Sequence, residues 1–185
     1  SNKIGRKQVA IDIYQQLLTN EETNPEVYGN LAILLHQLDQ HEQALKVLDD
    51  ALTEHPDEPL IRVERARYFF VSRKFTDAEA ELDIALSSGV KTGGLHLTAS
   101  RIYLAQSDPE KALDYARKAA QEISGVADAH LQLVICLMAG EREGEAIEYL
   151  AKLDPYILAD NPILYLTLTE IQIDADQIDE ARENM

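Results

Sequence analysis

One residue type recurs along this chain at a fixed interval of 34 positions. Alanine stands at Ala10, Ala44, Ala78, Ala112 and Ala146. A second column, four residues further on, keeps the interval with Tyr14, Leu48, Leu82, Ala116 and Leu150. A period of this length is typical of repeat arrays, in which each repeat buries its apolar face only against its neighbours. The 185 residues therefore predict about 5.4 repeats rather than one globule with a single core.

The spacing of apolar residues within a repeat is helical. Leu31, Leu35 and Leu38 lie on one helix face, and no stretch alternates apolar and polar residues as a half-buried strand would. The sequence therefore predicts an all-α chain of antiparallel helix pairs. The predicted helices cover residues 7–20, 25–38, 41–54, 59–72, 75–88, 93–106, 109–123, 127–139, 143–153, 162–174 and 177–185.

Capping residues and helix breakers support these boundaries. A side chain that can cap a helix precedes a proline at Asn24-Pro25, Asp108-Pro109 and Asn161-Pro162. Thr76 and Glu79 have the spacing of a capping box, and Pro155 falls between two predicted helices. A left-handed residue that ends a helix is expected at Gly89, Gly125 and Gly140.

The charge of the chain predicts which partners it avoids. The 33 acidic and 17 basic residues give a net charge of −16, which repels phosphate. We therefore expect no nucleic-acid partner and no docking on anionic lipid. No apolar run reaches the roughly 18 residues of a membrane span, and no signal peptide is visible, so no direct membrane insertion is expected. These features favour a soluble, cytoplasmic protein, with a removed leader or anchor as the alternative.

The columns resemble the tetratricopeptide repeat family, whose pattern of large and small residues has the same period. The repeat at 25–58 matches eight positions of that pattern with Tyr28, Leu31, Ala32, Leu35, Ala44, Leu48, Ala51 and Pro56. The resemblance implies a right-handed α-solenoid, a superhelix of helix pairs. Its repeats would cover 25–58, 59–92, 93–126 and 127–160, after a second helix of a truncated repeat in 1–24 and before a partial repeat in 161–185.

Two features depart from a complete, regular array. Arg62 and Arg65 occupy positions that are usually apolar in the family. Gly5 matches the glycine that lies between the helices of a family repeat, so the chain would begin near a second helix. The absence of polar capping helices at either end predicts a fragment of a longer array.

A search for chemistry finds packing residues rather than a reactive centre. Cys136 lies in an apolar run and is expected to be buried, and one cysteine excludes a disulfide framework. His96 and His130 are 34 residues apart and are expected to pack rather than bind metal. Asp174, Asp176 and Asp179 lack the glycine and glutamate of a calcium loop, so a solvated helix junction is expected. We therefore predict a protein that is no enzyme, with neither a cofactor nor a metal.

The family resemblance also implies a binding site. First helices of the family line a concave groove that receives peptides, and the corresponding positions here are mostly apolar. They are Ile33, His36, Gln37, Val63, Arg67, Phe70, Leu97, Arg101, Leu104, Leu131, Ile135 and Met138. The family's clamp for a chaperone C-terminal tail is not matched, because Asn30 is its only counterpart and the usual lysine position holds Gly29 in the first full repeat.

An apolar groove that contains two arginines predicts a particular partner. The apolar side of a peptide or helix would be buried while an Asp or Glu pairs with Arg67 or Arg101. The alternatives are that these residues only pack between first helices, that the arrays self-associate, or that the chain regulates or localises a larger enzyme complex. The acidic excess lies mainly on second helices and loops, where it is either a solvated surface or a docking surface for a basic partner.

Overall fold

Helices make up all the regular secondary structure that the computed structural model describes, which covers residues 2–19, 24–167 and 169–170. The prediction of an all-α fold is confirmed. The chain divides into two compact units, Ser1–Lys91 (unit 1) and Thr92–Met185 (unit 2). The helices of each unit pack as consecutive pairs. The division into four complete repeats between two partial ones stays a prediction.

Unit 1 contains five helices. They are α1 (Asn2–Leu17), α2 (Pro25–His36), α3 (His41–Glu54), α4 (Pro59–Val71) and α5 (Phe75–Ser87). Helix α2 packs against α3 and α4 pairs with α5, while α2 also contacts α1 and α4. The first helices of consecutive pairs therefore lie side by side within this unit.

Unit 2 follows the same plan. Its helices are α6 (Gly93–Ala105), α7 (Pro109–Glu122), α8 (Ala127–Ala139), α9 (Glu143–Ala151) and α10 (Pro155–Asp160), and residues 162–167 are also helical. Helix α6 pairs with α7 and α8 with α9, while α8 also contacts α6 and α10. Among the helices of both units, none within the described ranges is long and apolar enough to cross a membrane.

The alanine column explains how the helices of a pair come close together. Ala44, Ala78, Ala112 and Ala146 have no exposed surface, and the leucines four residues after three of them are also fully buried. A methyl group leaves room for the facing helix without lowering helix propensity. The 34-residue recurrence therefore marks the packing surface of each second helix.

Three of the four predicted helix caps are confirmed. Asn24 Oδ1 accepts from the amide of Glu26 at 2.9 Å, and Asp108 Oδ1 accepts from Lys111 at 3.2 Å. Asn161 caps the last helical segment in the same way. The capping box at Thr76 is wrong, because α5 already begins at Phe75 and its N-cap residue makes no capping hydrogen bond.

The turns within the pairs are built from left-handed residues at the repeat interval. Asp39, Arg73, Ser107 and Glu141 all have φ between 57° and 63°. Gly89 is left-handed as predicted, with φ of 81°. The same prediction for Gly125 and Gly140 is wrong, since Gly140 has φ of −90° and its successor takes the left-handed position.

Two sequence-based boundaries are also wrong. Gly5 lies inside α1 rather than between two helices. Pro155 does not separate two helices but begins α10, where Asp154 Oδ1 accepts from the amide of Tyr156 at 2.9 Å. The predicted helix at 177–185 and the aspartates from Asp174 onwards lie outside the described residues.

The two arginines at usually apolar positions are paired. Arg62 Nη1 lies 3.1 Å from Glu81 Oε2 on α5, and Arg65 Nη1 lies 3.0 Å from Glu81 Oε1. Arg65 also reaches Asp49 on α3 at 2.9 Å, and its guanidinium carbon lies 5.5 Å from the ring centroid of Phe69. The arginines thus hold three helices of unit 1 together, where an apolar residue would hold two.

Candidate binding faces on the first helices

The predicted groove residues divide between the two units and are described separately. We call Ile33, His36, Gln37, Val63, Arg67 and Phe70 the unit-1 face, and Leu97, Arg101, Leu104, Leu131, Ile135 and Met138 the unit-2 face. Most members of both faces are half-buried, while Gln37 and Ile135 are exposed. Val63 is only 5% exposed, so it supports the packing and offers little surface to a partner.

The residues of the unit-1 face do not form one continuous surface. The ring of His36 lies 4.7 Å from that of His41, and the ring of Phe70 lies 5.9 Å from that of Phe75. In both cases a residue near the end of a first helix packs against the first residue of its own second helix. These two positions therefore face the turn of the pair.

Ile33 and Gln37 instead line a shallow pocket between α1 and α2. Its volume is about 260 Å³, and it is completed by Ala10, Tyr14, Asn30 and Leu34. A pocket lined by apolar side chains and by the amides of Asn30 and Gln37 suits the side chain of a bound peptide. This pocket leaves part of the unit-1 face open to a ligand.

Arg67 is already bound within unit 1. Its Nε donates to Glu64 Oε2 at 2.8 Å, its Nη2 donates to the same oxygen, and Nη2 also donates to Asn30 Oδ1 at 2.9 Å. Burial raises the pKa of Glu64, with Arg67 opposing that change and the carboxylate of Glu26 adding to it. The sequence analysis missed this pair, although Glu64 stands three residues before Arg67, a spacing at which helix neighbours meet.

A glycine makes room for this cluster. A Cβ on Gly29 would lie 1.8 Å from Glu64 Oε2 and 2.8 Å from Arg67 Nη2. Because Glu64 is only 8% exposed, its carboxylate has little freedom to move away. The glycine at the family's usual lysine position therefore allows α4 to place an ion pair directly over α2.

The unit-2 face is more open and more uniformly apolar. Leu97 and Leu104 on α6 and Leu131 and Met138 on α8 are half-buried, and Ile135 is 40% exposed. Helices α6 and α8 pack side by side, so these residues belong to neighbouring first helices. The packing of unit 2 leaves part of this apolar surface unburied.

Arg101 is the cation of the unit-2 face, and its pairing is looser than that of Arg67. Its Nη2 donates to Asp128 Oδ2 at 2.9 Å. The Asp128 side chain is 58% exposed, whereas the Glu64 side chain that holds Arg67 is 10% exposed. An exposed ion pair contributes little free energy, so an incoming carboxylate can replace Asp128 on Arg101.

A buried polar network lies beneath this face. Gln132 Nε2 donates to Ser100 Oγ at 3.2 Å, and Ser100 Oγ lies 3.3 Å from Cys136 Sγ. The predicted burial of Cys136 is confirmed, and burial raises the pKa of its thiol. The thiol therefore stays protonated and packs between α6 and α8 instead of acting as a nucleophile.

The two histidines that recur at the repeat interval also pack, as predicted. His96 Nδ1 lies 2.7 Å from Glu122 Oε2, and its ring contacts Tyr115. His130 pairs with the hydroxyl of Tyr149 and, through Nε2, with the carbonyl of Ser124 at 2.7 Å. Within residues 2–19, 24–167 and 169–170, no group of three or more His, Cys, Asp or Glu side chains is arranged to hold a metal.

Antiparallel helix pairs that repeat every 34 residues and leave apolar first-helix surface exposed define a helical-repeat scaffold. Two models of the tetratricopeptide repeat family match the chain, one at residues 5–67 and 103–157 and the other at 63–127. The chain belongs to the tetratricopeptide repeat family. Its fold is that of a protein–protein interaction scaffold.

Known proteins with the same repeats extend this result. The chain is 26% identical over 133 residues to human interferon-induced protein with tetratricopeptide repeats 2; the match covers 68% of this chain but only 28% of that protein. YrrB, described as a TPR protein with an unusual peptide-binding site, is 19% identical with a TM-score of 0.60, and the match covers 88% of this chain and 84% of YrrB. The human IFIT1 dimer with PPP-AAAA is 21% identical with a TM-score of 0.66, covering 96% of this chain and 45% of IFIT1.

The last comparison corrects one prediction from the sequence. The net charge led us to expect no nucleic-acid partner, yet a protein of the same fold has been solved with PPP-AAAA. Net charge describes the whole surface, whereas a nucleic acid is held by the few groups that touch it. The exclusion of nucleic acid was therefore wrong.

Proposed function

We propose that this chain is a non-catalytic scaffold that binds a peptide or helix of a partner protein on its first helices. The observation that carries the proposal is the apolar surface of the unit-2 face, above all Ile135 at 40% exposure. Exposed apolar surface on a rigid helix pair is the usual site for an amphipathic partner segment. For a transient module of this kind we expect a dissociation constant of roughly micromolar, about −8 kcal/mol.

The charges next to the faces specify the partner's chemistry. On the unit-2 face, a partner segment would bury apolar side chains against Leu131 and Ile135 and place an Asp or Glu on Arg101. Arg67 would take no carboxylate, because Glu64 already holds it. On unit 1 the pocket at Ile33 and Gln37 would receive an apolar side chain instead. The peptide-binding site described for YrrB supports the same use of this fold.

A matched pair of charge insertions tests this function. Ile135→Glu places a carboxylate on the first helix α8, and Ile84→Glu places one on the second helix α5, where Ile84 is 46% exposed. Both variants should remain helical by circular dichroism. Affinity capture should lose the partner with Ile135→Glu and retain it with Ile84→Glu. Equal capture by the two variants would contradict binding at the first helices.

Self-association is the second candidate, and the dimer reported for human IFIT1 favours it. If the partner is a second copy of this chain, the mass measured by light scattering should rise with concentration in the wild type and not in Ile135→Glu. A constant monomer mass over the whole range would reject self-association. Because IFIT1 was solved with PPP-AAAA, this oligonucleotide should also be titrated into the wild type and into Ile135→Glu.

A further inference from the structure

Two imidazole rings meet at the turn between α2 and α3. Helix α2 ends at His36 and α3 begins at His41, with Asp39 in the left-handed conformation between them. The Nδ1 atoms of the two rings are 3.0 Å apart. Both rings stand on the ends of helices that a tight turn joins.

This distance suits a shared metal ion. At this distance one neutral imidazole donates its N–H to the other, and a metal ion bound by both nitrogens would replace that hydrogen bond. With metal–nitrogen bonds of about 2.0–2.1 Å, a separation of 3.0 Å gives an angle of about 91–97° at the metal. That angle fits neighbouring ligands of a square-planar or octahedral ion, whereas a tetrahedral ion needs nitrogens about 3.4 Å apart.

The surroundings supply what a two-histidine site needs. Ser72 Oγ lies 3.4 Å from His36 Nδ1, and a pocket of about 240 Å³ beside the rings leaves room for coordinating water. Asp39 Oδ1 lies 4.0 Å from His41 Nε2, which is beyond hydrogen-bond distance, so its carboxylate acts on the ring only through its charge.

The surroundings of the rings shift the pKa of His36 in opposite directions. Burial, followed by the neighbouring His41, lowers the pKa of His36, while Asp39 raises it. Lys74 also lines the pocket, together with Leu45 and Tyr68, and its ammonium opposes a bound cation.

We propose that Nδ1 of His36 and Nδ1 of His41 bind one divalent transition-metal ion of tetragonal or octahedral preference, Ni²⁺ or Cu²⁺. Ser72 Oγ or water completes the coordination. The site uses two protein nitrogens and shares no residue with the pocket at Ile33. Cu²⁺ binds more tightly than Ni²⁺, in keeping with the general order of affinities for nitrogen ligands.

Calorimetric titration of the full chain with NiCl₂ and with CuCl₂ at pH 7.5 tests the site. We expect one ion per chain in the wild type. His36→Ala and His41→Ala should each weaken binding at least about tenfold, the lower end of the effect seen when a metal site loses a supporting group. His55→Ala is the control, because His55 is exposed at the end of α3, and it should leave the affinity unchanged.

A second variant and a spectrum keep the test independent of folding defects. Lys74→Ala should tighten binding, since it removes the opposing charge and retains both histidines. Bound Cu²⁺ should show nitrogen coupling from two imidazoles in its electron paramagnetic resonance spectrum. Absence of one-to-one binding in the wild type, or equal affinity in both histidine variants and the wild type, would overturn the proposal.

Discussion

The guanidinium of Arg67 is bound by the carboxylate of Glu64, one helical turn earlier on α4, with Nε 2.8 Å from Oε2. Its Nη2 also reaches Asn30 on α2 at 2.9 Å. The arginine that the sequence assigns to an acidic partner is therefore neutralised inside unit 1. Arg101 is paired with the exposed Asp128. Of the two arginines, it is therefore the one that a partner's carboxylate can bind at the smaller cost in free energy.

The Glu64–Arg67 pair depends on the missing side chain of Gly29. Gly29→Ala should destabilise the protein by about 1–3 kcal/mol, because the new methyl group displaces a nearly buried carboxylate. Gly144→Ala is the matched control, since a Cβ there meets nothing within 4 Å and alanine favours a helix by up to about 1 kcal/mol. Urea unfolding curves of the two variants measure both effects.

A double variant separates this clash from other effects of the methyl group. In a Glu64→Ala background, Gly29→Ala should lose most of its cost, because the carboxylate that it displaces is gone. The coupling between the two positions should then be about 0.5–3 kcal/mol. Additive costs would mean that the methyl group acts on something other than Glu64.

Glu64 should also give the stability a defined pH dependence. Because burial raises its pKa in the folded protein, the folded state binds the proton more tightly than the unfolded state. Its contribution to stability is therefore present below the ordinary value of 4.5 and is lost as pH rises through the raised folded value. Melting temperatures from pH 4 to 7 should show the wild type losing stability relative to Glu64→Gln as pH rises. The opposite slope would mean that attraction to Arg67 outweighs burial.

The 34-residue period and the spacing of the apolar residues were enough to predict the helices. They did not predict the local geometry of the turns and ion pairs. The alanine column predicted the contact surface of the second helices, since burial at a fixed interval has no other simple cause. The turns were predicted from glycine, yet Ser107 and Glu141 adopt the left-handed conformation because the helix pairing imposes it. Likewise, the groove positions came from family geometry, which carries no information on Glu64, the residue that decides what Arg67 can bind.

The left-handed turns provide a direct test of backbone strain. Ser107 is exposed with φ of 63°, a conformation that costs a residue with a Cβ about 1–2 kcal/mol and costs glycine little. Ser107→Gly should therefore raise the free energy of unfolding by up to about 1 kcal/mol. Ser107→Ala serves as the control in thermal melts and should not stabilise the protein. A loss of stability in Ser107→Gly would contradict this view of the turn.

The start of α3 offers a second stabilising change. Gln40 is its N-cap residue and makes no capping hydrogen bond, although its backbone (φ −93°, ψ 57°) is close to that of Asp108 (φ −108°, ψ 76°), which caps α7. Gln40→Asp should stabilise the protein by about 1 kcal/mol, and Asp108→Ala should destabilise it by a similar amount. Chemical denaturation of both variants would show whether the two positions are equivalent, and no gain in Gln40→Asp would show that they are not.

Hydrogen–deuterium exchange of unit 2 in complex with the captured partner tests the central claim most directly. If the partner binds the first helices, protection should increase in α6 (Gly93–Ala105) and α8 (Ala127–Ala139), and the exchange of α7 and α9 should change little. Protection confined to α7 and α9, with α6 and α8 unchanged, would contradict binding at the first-helix faces.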